Sequence, residues 1–273
     1  MTALAQAFAR ARAEGRAALI GYLPAGFPTR DDSVRLMRAM VGAGVDIVEV
    51  GLPYSDPLMD GPVIQAAADQ ALRGGTTPAD VISIAGEVAA AGAPALVMSY
   101  WNPVERFGVD AFARDLAAAG GCGVITPDLT PEESADWAAA TSMHGIDRIY
   151  LVAPSSTDER LRVVSDACTG FVYAASTMGV TGARTSVSDA AESLVARVRQ
   201  VTDLPVAVGL GVSTGEQAAE IAAYADGVIV GSAFIRLVLD APGIDEAERA
   251  VAGLAGELAA GVRRRRIDAG PVT

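Results

Sequence analysis

A glutamate within an otherwise apolar segment is the residue of this sequence best suited to acid–base chemistry. In the segment Val45–Gly51, the alternation of a strand places Glu49 on the same face as Ile47 and places Asp46 on the other face. Burial raises the pKa of a carboxyl group toward the range that is useful for proton transfer. The alternative is a structural ion pair, for which Arg148 is the only arginine within a predicted strand. We interpret Glu49 as an acid–base group.

Two more carboxylates, Asp56 and Asp60, lie in the loop that follows this segment. Pro62 is typical of the first position of a helix, so an alternative role for Asp60 or Gly61 is to cap that helix. If the loop returns over the end of the strand, Asp60 and Glu49 face a bound substrate from opposite sides. This arrangement predicts two acid–base groups in one site.

Glycine-rich turns follow the last predicted strands. The turn Gly209–Ser213 and the dipeptide Gly231-Ser232 come after two consecutive strands, and the second of them begins a helix. Backbone N–H groups and a helix N-terminus at this place commonly bind phosphate, although ordinary turns are the alternative. An earlier glycine segment, Met178–Arg184, suits a mobile lid that excludes water.

The remaining polar residues of interest have simpler interpretations. Tyr173 shares a strand face with Phe171 and Ala175, which favours an interior aromatic side chain with a satisfied hydroxyl. His144 precedes Gly145, a pattern typical of the end of a helix. Neither pattern by itself indicates a catalytic role.

The elements that must position these residues are short apolar segments, each followed by an alanine-rich helical pattern. Because the segments are continuously apolar, they predict a parallel sheet that is covered on both faces. Eight of them in about 250 residues predict a single (β/α)8 barrel, a TIM barrel, with its active site at the carboxyl ends of the strands. A doubly wound open sheet is the alternative, but the turn Tyr22–Gly26 lacks its usual glycine motif. The predicted strands are Ala17–Tyr22, Val45–Val50, Pro94–Tyr100, Gly123–Thr126, Arg148–Val152, Phe171–Ala175, Pro205–Val208 and Gly227–Val230.

The composition excludes several kinds of chemistry. The 273 residues include no lysine, which excludes a Schiff-base aldolase, a Walker lysine and a pyridoxal-binding lysine. The single histidine cannot form a histidine metal cluster, and it makes most Ser-His or Cys-His nucleophile pairs unavailable. Two cysteines, Cys122 and Cys168, are too few for a disulfide framework or a cysteine metal site. Acid–base chemistry therefore falls to carboxylates or tyrosine.

Charge and hydropathy indicate a soluble cytoplasmic protein. The net charge of −12 disfavours general binding to nucleic acid or to anionic membranes. No apolar run approaches the roughly 18 residues of a membrane span, and the first residues lack the apolar core of a secretory signal. No linker divides the chain, so we expect one domain over residues 1–266 and a flexible tail over 267–273.

The run Glu49–Gln65 resembles the signature of the tryptophan synthase alpha subunit family, and the resemblance extends along nearly the whole chain. This seventeen-residue run is highly specific, whereas the glycine pairs alone are not. Further matching segments are Gly21–Pro28, Met98–Pro103, Thr126–Leu129, Ala153–Ser156, Gly170–Tyr173, Gly179–Gly182 and Gly231–Ala233.

The resemblance implies an activity and the residues that perform it. It implies a (β/α)8 barrel that cleaves indole-3-glycerol phosphate into indole and glyceraldehyde 3-phosphate without a metal or an organic cofactor. Glu49 matches the main acid–base group, Asp60 the group that receives the indole N–H, and Tyr173 the supporting tyrosine of the pocket. The matching phosphate-binding residues are Gly182, Gly211, Gly231 and Ser232. The matching lid residues are Gly179 and Thr181.

The resemblance also implies a partner, a pyridoxal-phosphate beta subunit that receives indole through a tunnel within an α2β2 complex. The matching contact residues are Asp56, Pro57, Asn102 and Pro103. Cys122, Thr130 and Met59 depart from the commonest family pattern, and none of them is a predicted proton-transfer group. Two alternatives stay open at this point, a free-standing lyase of the same family and a catalytically silent regulatory subunit.

Overall fold

A computed structural model of the chain describes residues 1–175, 184–209 and 211–264. Three residues with predicted roles, Gly179, Thr181 and Gly182, lie outside this range, as does the predicted tail, 267–273.

Parallel strands alternate with helices along the described residues. The strands are β1 (Ala18–Pro24), β2 (Ile47–Gly51), β3 (Ala95–Met98), β4 (Gly123–Ile125), β5 (Asp147–Ile149), β6 (Leu151–Val152), β7 (Val172–Ala175), β8 (Val206–Gly209) and β9 (Gly227–Val230). The helices are α1 (Ala3–Ala13), α2 (Arg30–Gly42), α3 (Pro62–Arg73), α4 (Pro78–Ala89), α5 (Trp101–Phe107), α6 (Val109–Ala119), α7 (Ala135–His144), α8 (Asp158–Ala167), α9 (Arg184–Val198), α10 (Gly215–Ala222), α11 (Ser232–Asp240) and α12 (Ile244–Val262), with a 3-10 turn at Pro131–Glu133.

The sheet closes on itself as a barrel. The strand order is β5-β4-β3-β2-β1-β9-β8-β7-β6, and each of these pairings is parallel. The two outermost strands of this order, β5 and β6, are consecutive in the chain and separated only by Tyr150. Asp147–Ile149 pairs with β4, and Leu151–Val152 pairs with β7. The segment 147–152 therefore joins both edges, which confirms the predicted TIM barrel.

The predicted fifth strand, Arg148–Val152, is thus divided in two around Tyr150. Strands of a closed barrel are staggered, so the two neighbours of one strand pair with different parts of it. The backbone hydrogen bonds change partner at the same place. The Ile149 carbonyl accepts from the Thr126 N–H, whereas the Tyr150 carbonyl accepts from the Tyr173 N–H. Periodicity along the chain carries no information about this stagger.

Two apolar cores hold the barrel. One lies between the strands and the surrounding helices, and the other fills the barrel interior. In the interior, Ile20, Ile47 and Phe171 point inward from their strands, and Leu4 and Phe8 of α1 cover the amino-terminal end. The Phe8 and Phe171 rings lie 5.5 Å apart. Helix α1 therefore closes the amino-terminal end of the barrel interior.

Asp46, which the strand pattern places opposite to Glu49, forms an ion pair at the amino-terminal side of β2. Its carboxylate accepts two hydrogen bonds from the Arg16 guanidinium, at 2.6 and 2.8 Å. The side chain of Arg16 is 4% exposed and that of Asp46 is 10% exposed.

In the described part of the chain, no helix has the length and apolar character needed to cross a membrane.

Candidate active site

A cavity of about 230 Å³ lies at the carboxyl end of the strands. Every predicted catalytic residue lines it, together with those predicted phosphate-binding residues that belong to the described part of the chain. These are Glu49, Asp60, Tyr173, Gly211, Gly231 and Ser232. The other lining residues are Tyr22, Met59, Ile64, Met98, Leu151, Ala175, Gly209 and Ile229.

Glu49 projects from β2 into this cavity and is 1% exposed. Its Oε1 atom is buried without a hydrogen-bond partner among the residues that the structure describes. Removal from water raises the pKa of Glu49 from its ordinary value of 4.5 to about 8. Arg148 instead donates to the Ala138 carbonyl and the Thr141 hydroxyl on α7. The ion-pair interpretation of Glu49 is therefore wrong, and the carboxyl group is left free for proton transfer.

Asp60 reaches the cavity from the loop between β2 and α3. Its carboxylate accepts a hydrogen bond of 3.0 Å from the Tyr100 hydroxyl, which in turn accepts one of 3.0 Å from the Met59 N–H. Burial raises the pKa of Asp60, and the bond from Tyr100 opposes this rise. Gly61, and not Asp60, occupies the N-cap position of α3, and Pro62 is the first residue of that helix. The helix-cap interpretation of Asp60 is therefore wrong, and its carboxylate faces the cavity instead.

Glycines at the strand ends make room for two tyrosines. A methyl group on Gly209 would lie 2.6 Å from the Tyr173 hydroxyl oxygen. A methyl group on Gly51 would lie 2.5 Å from the Tyr22 hydroxyl oxygen, and one on Gly231 would lie 3.0 Å from Cδ1 of the same ring. Since real side chains do not approach so closely, each tyrosine occupies a space that only glycine leaves open.

The two tyrosines and the two carboxyl groups form one electrostatic cluster. Burial raises the pKa of Tyr173, and the negative charge of Glu49 raises it further. Burial also raises the pKa of Tyr22 well above its ordinary range, with contributions from Asp60 and Glu49. Both phenols therefore keep their protons at neutral pH and act as hydrogen-bond donors in the cavity.

The side of the cavity at the ends of β8 and β9 is suited to an anion. Helix α11 begins at Ser232, and Gly231 before it provides no side-chain cap for the first N–H groups. Such N–H groups at a helix N-terminus bind phosphate well. Gly211 has a φ of +63°, a left-handed conformation that favours glycine. The two glycine turns predicted to bind phosphate thus meet in the cavity that holds the carboxyl groups.

The two predicted contact segments lie against each other beside the site. The Asn102 amide donates a hydrogen bond of 3.0 Å to the Tyr54 hydroxyl, and the Tyr54 and Tyr100 rings are 5.4 Å apart. Asp56 is exposed and accepts a 2.6 Å hydrogen bond from Ser55. The predicted contact residues Asp56, Pro57, Asn102 and Pro103 therefore belong to two adjacent segments, one of which carries Asp60.

Sequence reasoning did not assign a role to Tyr22 or Tyr100. The parity of β1 could have found Tyr22, because this residue lies two positions after Ile20 on the inner face. The contact between Tyr100 and Asp60 joins residues 40 positions apart and has no local signal in the chain.

Comparison with known proteins identifies the family. The family model for the tryptophan synthase alpha chain matches residues 8–263. A relative from Thermobifida fusca, described as a tryptophan synthase alpha chain, is 63% identical over 266 residues, which cover 96% of this chain and 98% of the relative. A second, from Acidothermus cellulolyticus, is 61% identical and covers 97% of this chain and 98% of its own length.

Solved structures agree with this assignment. The ligand-free form of tryptophan synthase from M. tuberculosis includes a chain with a TM-score of 0.88 and 54% identity, and the match covers 96% of this chain and all of that one. The tryptophan synthase alpha subunit of Legionella pneumophila has a TM-score of 0.88 at 30% identity, with 96% and 98% of the two chains covered. This chain belongs to the tryptophan synthase alpha chain family.

Proposed function

We propose that this chain cleaves indole-3-glycerol phosphate into indole and glyceraldehyde 3-phosphate, a retro-aldol reaction in the last stage of tryptophan biosynthesis. The observation that carries the proposal is the buried Glu49 carboxyl group, which faces the same cavity as Asp60 and has an Oε1 atom without a partner in the described part of the chain. A carboxyl group with a pKa of about 8 exchanges protons readily near neutral pH.

Binding of the substrate orients it between two ends of the cavity. The phosphate group binds at Gly211, Gly231 and Ser232, where the uncapped N-terminus of α11 provides N–H donors. The indole ring then extends toward Asp60, whose carboxylate accepts a hydrogen bond from the ring N–H. Glu49, on β2, faces the bond between the ring and the glycerol chain.

The reaction proceeds by two proton transfers at Glu49. The protonated carboxyl group gives its proton to the ring carbon that bears the side chain, while Asp60 stabilises or accepts the N–H proton of the cationic indolenine that results. A proton accepted by Asp60 returns to the ring nitrogen as the carbon–carbon bond breaks. The carboxylate of Glu49 then takes the proton of the adjacent hydroxyl as the carbon–carbon bond breaks. The bonding electrons return to the ring, the hydroxyl carbon becomes the aldehyde, and Glu49 ends as it began.

The ring itself accepts the electrons of the breaking bond in this mechanism. A chain without lysine cannot form the Schiff base that other aldolases use for this purpose. Tyr173 supports the step as a protonated phenol beside Glu49. We include Gly182 in the phosphate site and Gly179 and Thr181 in a lid on the strength of the family pattern.

The proposal includes a beta subunit as partner, in an α2β2 complex that passes indole between its subunits. Asp56 is exposed at the proposed contact, and its loop also carries Asp60, so docking acts directly on the segment that holds a proposed catalytic group. We further propose that residues 1–266 form one domain, since β1 and β9 pair in one sheet. A cytoplasmic location completes the proposal, because a phosphorylated biosynthetic intermediate is retained inside the cell.

Cleavage assays on the purified chain test this function. Release of glyceraldehyde 3-phosphate is measured with indole-3-glycerol phosphate as substrate, with and without the beta subunit, for the wild type and for Glu49→Gln and Asp60→Asn. We expect activity that rises with the partner and is abolished by Glu49→Gln, while binding of indole-3-propanol phosphate persists. Absence of cleavage by the wild type with its partner present would refute the proposal.

A further inference from the structure

Tyr22 occupies a fixed place beside the reacting groups. It is the register partner of Glu49 on the neighbouring strand, and both side chains line the cavity. Its ring extends from Gly231, which faces Cδ1, to Gly51, which faces the hydroxyl. Gly51 lies two residues after Glu49 on the inner face of β2. The phenol therefore runs from the phosphate side of the cavity to the acid–base side.

The hydroxyl of Tyr22 has no hydrogen-bond partner among the residues that the structure describes. Polar groups in a water-poor site are normally hydrogen-bonded, so a free hydroxyl in a cavity wall indicates contact with whatever fills the cavity. Burial and the nearby carboxylates keep the proton on this phenol. At neutral pH the group is accordingly a hydrogen-bond donor in the wall of the cavity.

The other two tyrosines at this end of the barrel have different positions. The Tyr100 hydroxyl already bonds Asp60 and the Met59 N–H. The Tyr173 hydroxyl lies over Gly209, on the β8 side of the cavity. Tyr22 alone of the three combines a free hydroxyl with a place at the end of the Glu49 strand.

We propose that Tyr22 is a further catalytic residue, whose hydroxyl donates a hydrogen bond to the glycerol-chain oxygen from which Glu49 takes the proton. The inference rests on the function proposed above and extends it. As the carbon–carbon bond breaks, this oxygen gains negative charge and then becomes the aldehyde oxygen, and a donor directed at it favours that change. Tyr22 keeps its proton throughout, so the step needs no further reactant.

The substitution Tyr22→Phe tests the inference, because phenylalanine keeps the ring between the two glycines and removes only the hydroxyl. Two measurements are compared, kcat/KM for indole-3-glycerol phosphate and the Kd of indole-3-propanol phosphate, an analogue without chain hydroxyls. We expect kcat/KM to fall by about tenfold to a hundredfold, as for a lost hydrogen bond to a developing charge. We expect the Kd of the analogue to stay unchanged.

Tyr150→Phe is the matched control. This tyrosine is 2% exposed and belongs to the core between the strands and the helices, so the kinetics of Tyr150→Phe should equal those of the wild type. Unchanged kcat/KM in Tyr22→Phe would overturn the inference while leaving the proposed function intact. An equal loss of affinity for the analogue would also overturn it, because the ring would then act only through the shape of the pocket. A wild type that fails to cleave overturns both proposals.

Discussion

Replacing Glu49 with glutamine is expected to abolish cleavage and to stabilise the protein at neutral and alkaline pH. The two effects share one cause, which is a carboxyl group held away from water with an unpartnered Oε1 atom. Ionisation of such a group opposes folding, because the unfolded chain exposes the carboxylate to water. Glutamine has nearly the same shape and stays neutral at every pH.

The magnitude follows from the raised pKa of Glu49. Between pH 4.5 and about 8 the folded protein holds a proton at this position that the unfolded chain has lost. In this window the contribution of Glu49 to the free energy of unfolding falls by about 1.4 kcal/mol for each unit of pH increase. Above pH 8 the loss is complete and amounts to about 5 kcal/mol. Below pH 4.5 the group is protonated in both states and contributes no difference.

Chemical denaturation of the wild type and of Glu49→Gln at pH 5, 7 and 8.5 measures this effect. The difference in the free energy of unfolding is expected to grow from about 1 to about 5 kcal/mol in favour of the variant. Glu220→Gln, at an exposed position of α10, controls for the loss of one negative charge. This control should keep the pH dependence of the wild type.

A difference that stays constant across these pH values would refute the reasoning, since it would mean that Glu49 is ionised at the same pH in the folded and unfolded states. A less stable variant at pH 8.5 would refute it as well. Cleavage by Glu49→Gln at the wild-type rate would instead refute the catalytic role and leave the electrostatic argument standing.

Three further predictions concern the same site and its support. Because the proposed mechanism starts with a protonated Glu49, kcat/KM should decline as the pH rises through about 8, and a profile that is flat from pH 7 to 9.5 would contradict this. Tyr100→Phe removes the hydrogen bond that lowers the pKa of Asp60, so the acidic limb of the profile should move to higher pH and kcat should fall about tenfold. An unmoved acidic limb would exclude this positioning role. Arg16→Met leaves the carboxylate of Asp46 nearly buried without its partner, so thermal or chemical unfolding should show a loss of about 3–5 kcal/mol, and a loss below about 1 kcal/mol would count against it.

Much of the barrel could be predicted from the chain because its strands are continuously apolar. The prediction of Gly227–Val230 agrees with β9 at both ends, whereas β1 continues to Pro24, two residues beyond the predicted end. The extension exists because Leu23 and Pro24 pair with the end of β2. Strand ends depend on such partners, and no local pattern encodes them.

The sequence by itself determined which chemistry is available and which face of β2 carries it. Because the chain has no lysine and only one histidine, carboxylates remain as the acid–base groups. The two-residue period of a strand directs Glu49 inward because Ile47 points inward. Only the tertiary structure decided what surrounds that carboxyl group. It brought Tyr100 to Asp60 and placed Tyr22 between two glycines. These contacts join distant segments, so they arise from the closure of the barrel and not from the order of residues along any one strand.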